Sequence, residues 1–328
     1  MMRDMIEASG SAADAADSAS SSRRVLRRYT VHRFSHTPHA MFRAVSRLSS
    51  LFVEQLTVID CAYLDAVRGV VGESWIVDIE LTGELDAQSM VLDFGEVKKR
   101  LKRALDNSAD HTLLVPRRHA GLSLHEAGGR VELEFRGPAA GPIIHASPAI
   151  AISLIDAETV TADAVIAFLK PVLAEVVPPN VAEIGLTLRT ERIDGAYYHY
   201  THGLKKHDGH CQRIAHGHRS RIELRVDGER DAALEAEQAA RWADIYLGTR
   251  EDLVSAANGR HRYEYTAAEG AFAIELPAAR CDVLDADTTV ECIADHLATQ
   301  LAARRPGRSV QVRAYEGVMK GAVARNPG

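Results

Sequence analysis

Cysteine is scarce in this chain. Four residues out of 328, Cys61, Cys211, Cys281 and Cys292, are scattered too widely and are too few for a disulfide framework, so each reads as a thiol. Long apolar runs are also missing. None approaches the roughly 18 residues that cross a bilayer, and the N-terminus has no uninterrupted apolar core of the secretory kind. The expected setting is therefore the cytoplasm, without a membrane partner. Nor is there an excess of positive charge: 39 Lys and Arg stand against 45 Asp and Glu, a formal net charge of −6. Neutralising phosphates needs a basic face, so the expected partner is a small molecule rather than nucleic acid.

What is present divides in three. Residues 1–45 hold SGSAADAADSASSS followed by the basic RRVLRRYTVHR, too little apolar material to offset ordering entropy, and the expectation is a disordered tail, with Met41 an alternative start. The remainder repeats one plan, in residues 46–193 and again in 194–328. SWIVDIELTGELD (Ser74 to Asp86) and RSRIELRVDGERD (Arg219 to Asp231) both alternate apolar and polar residues as half-buried strands do. Phe94, Val97, Leu101 and Leu105 recur at spacings of three and four and predict an amphipathic helix, with ALEAEQAARWADIYLGTREDLV as its downstream counterpart. TADAVIAFLKPVLAEV and TTVECIADHLATQLAARR predict a second pair of helices, each opened by a capping Thr. Strands follow both, ending at Glu191 and Glu316. Long antiparallel strands with helices on one face make the fold class α+β.

The second half opens on the densest chemistry. Residues 201–219, THGLKKHDGHCQRIAHGHR, carry five of the fifteen histidines and one cysteine. Side chains alternate along a strand, so His216 and His218 share a face, and His202 on a neighbouring antiparallel strand completes a three-nitrogen set. Three protein ligands with a fourth position open is the catalytic zinc arrangement, with iron, copper and nickel as alternatives. His207 and His210 are alternative ligands from the intervening loop. Cys211 has three readings: a reactive thiolate, a fourth ligand closing a structural site, or an inert thiol.

The order of an aromatic strand, YTHGL, a cysteine-bearing loop, HGH, an alternating strand and then DF and DH motifs resembles the 6-pyruvoyl-tetrahydropterin synthase / 6-carboxytetrahydropterin synthase family. The likeness covers nearly all of residues 50–320, as two consecutive copies. It implies tandem tunnelling-fold (T-fold) domains whose sheets join into a barrel in a homo-oligomer, with active sites at interfaces. It also implies Zn2+ on His202, His216 and His218, Cys211 as a base, an Asp-His pair assisting from a neighbour, and Glu316 anchoring a pterin ring, with Glu191 as its first-half counterpart.

The copies depart from the pattern in complementary ways. In the first, Val71-Gly72-Glu73 stands at the HGH position and the first-ligand position falls near Ala62, so no zinc is expected there. That half keeps MVLDF and SADHTLL, the DF and Asp-His motifs, with Asp110 and His111. The second has ADIYL around Asp244, leaving His261 to stand for the family's histidine. The expectation is a division of labour across an interface, zinc and Cys211 from a second half and Asp110-His111 from a first half. The implied activity is a zinc-dependent lyase acting on 7,8-dihydroneopterin triphosphate, of the 6-carboxytetrahydropterin synthase type, in pterin or 7-deazapurine (queuosine) biosynthesis. Alternatives are the 6-pyruvoyl activity or a non-catalytic zinc or pterin binder.

Overall fold

Three β-sheets and four helices carry the site, in a computed structural model that describes residues 48–139 and 141–328. The expected disordered tail over 1–45 lies outside the described residues. In chain order the first half runs β1 (Leu48–Asp65), β2 (Gly69–Glu84), α1 (Phe94–Asp106), β3 (Leu113–Pro116), β4 (Leu122–Ala127), β5 (Arg130–Gly137), β6 (Gly141–Pro148), β7 (Ile152–Ile155), α2 (Ala162–Ala174) and β8 (Val181–Thr190). The second runs β9 (Tyr197–His202), β10 (His216–Val226), β11 (Glu229–Arg230), α3 (Ala232–Arg241), β12 (Ile245–Thr249), β13 (Leu253–Ala257), β14 (Arg260–Ala267), β15 (Gly270–Pro277), β16 (Cys281–Leu284), α4 (Val290–Arg304), β17 (Val310–Tyr315) and β18 (Gly321–Asn326).

The halves share a topology. One sheet is ordered β7-β3-β1-β2-β8 and the second β16-β12-β9-β10-β17-β18, so each begins with a long antiparallel hairpin and receives later strands at both sides. Both sheets are mixed, because β3 and β7, like β12 and β16, join in parallel. The third sheet, β13-β14-β15-β6-β5-β4, draws three strands from each half, joined where β15 pairs with β6. Ser46–Gly328 is accordingly one compact unit.

Periodicity explains the layers. Val97, Leu101 and Leu105 of α1 and Val165, Leu169 and Leu173 of α2 are buried at helical spacing against Ile59, Cys61, Trp75 and Val77 of the first sheet. Each such aliphatic side chain stabilises the fold by about 1.5–3 kcal/mol when fully buried. In the second half α3 and α4 cover Tyr198, Tyr200, Ile222 and Leu224 in the same way. Even-numbered Ala62 and Leu64 turn to the opposite face, where they meet Phe135, Ile143, Tyr246 and Tyr263 beneath the third sheet. Thr161 and Thr289 cap α2 and α4, accepting from Ala164 N and Cys292 N, each cap being worth about 1 kcal/mol. The helix expected from ALEAEQ onward is shorter than its pattern. It stops at Arg241, and Ile245–Thr249, every residue buried, becomes strand β12. A short, largely apolar stretch is where helical and strand periodicity cannot be told apart.

The two sheets cross at a pair of glycines. A Cβ on Gly72 of β2 would lie 2.5 Å from His218 N and nearer still to Tyr200 O, and one on Gly217 of β10 would lie 2.6 Å from Gly72 Cα. With no side chain at either position, backbone packs on backbone, and first-half groups reach the second-half histidines.

Candidate metal centre and proton relay

The histidine cluster follows from register. His216 stands opposite His202 and His218 opposite Tyr200 across β9 and β10, and all four side chains face the helices. The three imidazoles are buried, at 0–1% exposure. Two of the three Nδ1 atoms are committed to backbone carbonyls. His202 Nδ1 donates to Thr288 O at 2.9 Å and His216 Nδ1 to Arg213 O at 3.0 Å. His218 Nδ1 faces Asp60 Oδ1 at 3.1 Å, in a contact too bent to be a linear hydrogen bond. Carbonyl oxygens only accept, so Nδ1 of His202 and of His216 carries the proton and their Nε2 atoms turn bare lone pairs inward, with His218 Nε2 lying against His202 Nε2.

The spacing of the ring nitrogens suits a cation. His202 Nε2 and His218 Nε2 are 3.2 Å apart, and one ligand atom from each of the three rings lies within 4.8 Å of the others. Two zinc–nitrogen bonds at tetrahedral angle place their nitrogens ~3.3 Å apart. Burial, followed by the neighbouring imidazoles, holds His202 and His216 well below the ordinary histidine range, so a proton is a poor occupant. The residues therefore fit a metal ion with an open coordination position.

A second group adjoins this one and shares His216: His111, Cys211 and His216 also offer ligand atoms within 4.8 Å of one another. His111 sits just ahead of β3 with φ of 53°, its N–H donating to Asp60 O at 2.7 Å. This left-handed conformation turns the ring toward the histidine cluster, 5.0 Å from the His216 ring centre. Asp110 Oδ2 accepts from His111 Nδ1 at 2.7 Å, and its other oxygen accepts from Asp60 N at 2.8 Å. Burial works against protonation of His111, but the bonds to Asp110 and Cys211 prevail and push it up to about 10. Cys211 lies in the short turn His210–Gln212, where its carbonyl accepts from Leu204 N at 2.8 Å. Asp110 and His111 thus meet Cys211 within one chain, and no second chain is required to bring them together.

The same register locates the other residues singled out in the sequence. Glu316, two past Ala314 on β17, comes to the imidazole face and lies 3.7 Å from Lys320 Nζ. Glu191 does not join it. Val77 opposite Leu188 matches Ile222 opposite Ala314, so Thr190 is the counterpart of Glu316; Glu191 is one residue beyond, its carboxylate 3.8 Å from Arg221. His261 lies on β14 in the third sheet with Nδ1 3.2 Å from the Tyr263 hydroxyl, apart from both clusters. Its expected place is taken by Asp244, since Leu113 opposite Ala62 matches Tyr246 opposite Thr201, and Asp244 shares the left-handed conformation of His111 at φ 57°.

Among the described residues, the first half holds no equivalent cluster. In register with His202, His216 and His218 are Tyr63, Val71 and Glu73; the first-ligand position is Tyr63 rather than Ala62. Arg68 binds Asp244 through two nitrogens at 3.0 and 2.5 Å and donates to the Tyr63 hydroxyl at 2.9 Å. An ion-pair network occupies that place. The loop candidates also resolve: His207 Nδ1 accepts from Gly209 N, and His210 pairs with Glu269. Lys205 binds Glu251 and Asp252, Lys206 binds Asp287, and Arg213 binds Glu269.

Asp60, absent from the sequence reading, is the residue that links these groups. It is 3% exposed, and apart from Ser74, opposite it across the hairpin, its partners are remote in sequence, so alternation alone gives no sign of them.

Comparison with known families gives a match to the profile described as 6-pyruvoyl tetrahydropterin synthase over residues 62–172 and again over 194–327. Among solved structures, the chain is similar to the 6-pyruvoyltetrahydropterin synthase of Plasmodium vivax, at 16% identity and TM-score 0.34, covering 44% of this chain and 98% of that one. It is likewise similar to the Plasmodium falciparum 6-pyruvoyl tetrahydropterin synthase, at 13% identity and TM-score 0.34, covering 43% and 98%. Comparison with the curated proteins finds none that matches.

Proposed function

Because the chain belongs to the 6-pyruvoyl tetrahydropterin synthase family, whose fold is the α+β T-fold, we propose that it is a zinc-dependent lyase acting on 7,8-dihydroneopterin triphosphate. The product read here is the 6-carboxytetrahydropterin type of pterin and 7-deazapurine biosynthesis. One observation carries the reading: two three-residue groups, His202-His216-His218 and His111-Cys211-His216, share a member and lie in one chain.

The division of labour follows from chemistry. Carbon acids next to hydroxyl groups are weak, and zinc on the three Nε2 atoms would supply Lewis-acid stabilisation of negative charge on side-chain oxygens. Cys211 takes the proton from the substrate carbon. His111, held charged between Asp110 and Cys211, donates a proton on the other side, and Asp110 fixes its ring and tautomer. Glu316 accepts hydrogen bonds from the amino-pyrimidine edge of the ring. Glu191 and His261 have no part in this scheme.

In this reading residues 46–193 and 194–328 are the two T-fold copies, the first retained for Asp110 and His111. Among the described residues β7, β8, β16 and β18 each pair on one side only, and these edges are where chains of a homo-oligomer would join. Among the described residues no helix is long and apolar enough to cross a membrane, and the reading assumes a cytoplasmic enzyme.

The test is incubation of the zinc-loaded protein with 7,8-dihydroneopterin triphosphate, followed by product mass. Release of triphosphate with a 6-carboxy product supports the proposal and a 6-pyruvoyl product revises it. Binding without turnover would favour the zinc or pterin binder.

A further inference from the structure

We propose that Asp60, a first-half residue outside both ligand groups, is the positioning residue that aligns the second-half metal ligand with the first-half proton relay. The inference rests on the metal reading above and adds a residue to it.

Asp60 lies on β1 beneath the crossing of Gly72 and Gly217, where the second half comes close enough for contact. Each of its polar groups has a separate task. Oδ1 accepts from the Ser74 hydroxyl at 2.5 Å and faces His218 Nδ1 at 3.1 Å. Oδ2 lies 3.3 Å from Lys320 Nζ, which in turn lies 3.7 Å from Glu316. The backbone N–H donates to Asp110 Oδ1 at 2.8 Å, and the backbone carbonyl accepts from His111 N at 2.7 Å. One buried residue therefore touches a proposed ligand, the proposed relay and the lysine beside the proposed ring anchor.

The carboxylate has an effect that a neutral filler lacks. His202 and His216 point their Nδ1 protons at backbone carbonyls, whereas His218 alone faces a charge. A carboxylate beyond a ligating imidazole fixes its tautomer and raises its basicity, and losing such a partner typically weakens metal binding about 10–100-fold. The relay contacts use the backbone and survive side-chain replacement. A Cβ on Gly317 would lie 2.5 Å from Asp60 Oδ1, so the turn after β17 closes over the carboxylate and shields it from water.

The test is a competition titration of zinc against a chromophoric chelator, using the full chain without substrate, for wild type, Asp60→Asn, Asp60→Ala and Ser74→Ala. The expected result is a 10–100-fold loss of affinity in Asp60→Ala, a smaller loss in Asp60→Asn, which keeps an acceptor oxygen, and the smallest in Ser74→Ala. Among the folded variants zinc affinity should follow the acceptor at position 60, Asp above Asn above Ala, rather than the urea midpoint of each variant, an ordering that general loosening would not produce. If Asp60→Ala fails to fold, Asp60→Asn and Ser74→Ala carry the comparison. Wild-type affinity in the folded variants overturns this inference alone. A wild-type protein that binds no zinc overturns the metal reading, and this inference with it.

Discussion

Gly72 and Gly217 touch through their backbones, and they are the middle residues of the matching triplets Val71-Gly72-Glu73 and His216-Gly217-His218. One triplet holds two imidazoles and the other none, yet both are needed for the crossing that brings Asp60 to His218. Gly217→Ala should therefore cost about 1–3 kcal/mol or more by overpacking and reduce zinc retention together with stability. Urea denaturation with parallel metal analysis checks this; unchanged stability and metal content would mean that the strands can part without consequence.

Cys211→Ala should lower kcat by about 10²–10⁴ while leaving zinc bound, since the thiol stands beside the three imidazoles rather than among them. Steady-state kinetics and metal analysis on one preparation check it. Loss of the metal would instead make Cys211 a ligand.

Asp110→Asn tests the relay through pH. Burial alone would lower the His111 pKa, but Asp110 and Cys211 hold it at about 10, so the imidazolium persists at neutral pH and is lost as pH rises through that value. Removing the carboxylate should move the alkaline limb of kcat/KM downward by about 1–3 units. An unmoved limb would assign the proton donor to another group.

His145 provides a test independent of the site. It is 1% exposed with both ring nitrogens unpartnered, and burial lowers its pKa to about 3. The unfolded chain binds the proton first, so the stability contribution is fully present above pH ~6.5 and falls as pH drops toward 3, by about 1.4 kcal/mol per unit at most. His145→Leu should flatten this part of the slope in urea denaturation between pH 7 and 5. An identical slope would show that His145 is hydrated.

The histidine cluster was legible because its causes are local: HGH alternates on one strand, and a hairpin returns His202 opposite His216. Asp110 and His111 were legible as a motif, but their meeting with Cys211 in one chain depends on how the halves pack. Glu191 was misjudged by a single residue of register, which sends a side chain to another partner. His261 was chosen for its residue type, whereas the matching position carries Asp244, identifiable only from strand pairing. Asp60 left no trace because every partner except Ser74, which faces it across the β1–β2 hairpin, is remote in sequence.

The most direct measurement is the number of zinc ions held per chain, in wild type and in His216→Ala. The account predicts one ion per chain despite two family segments, and none in the variant. Two ions in the wild type, or an ion that survives the loss of His216, would contradict it.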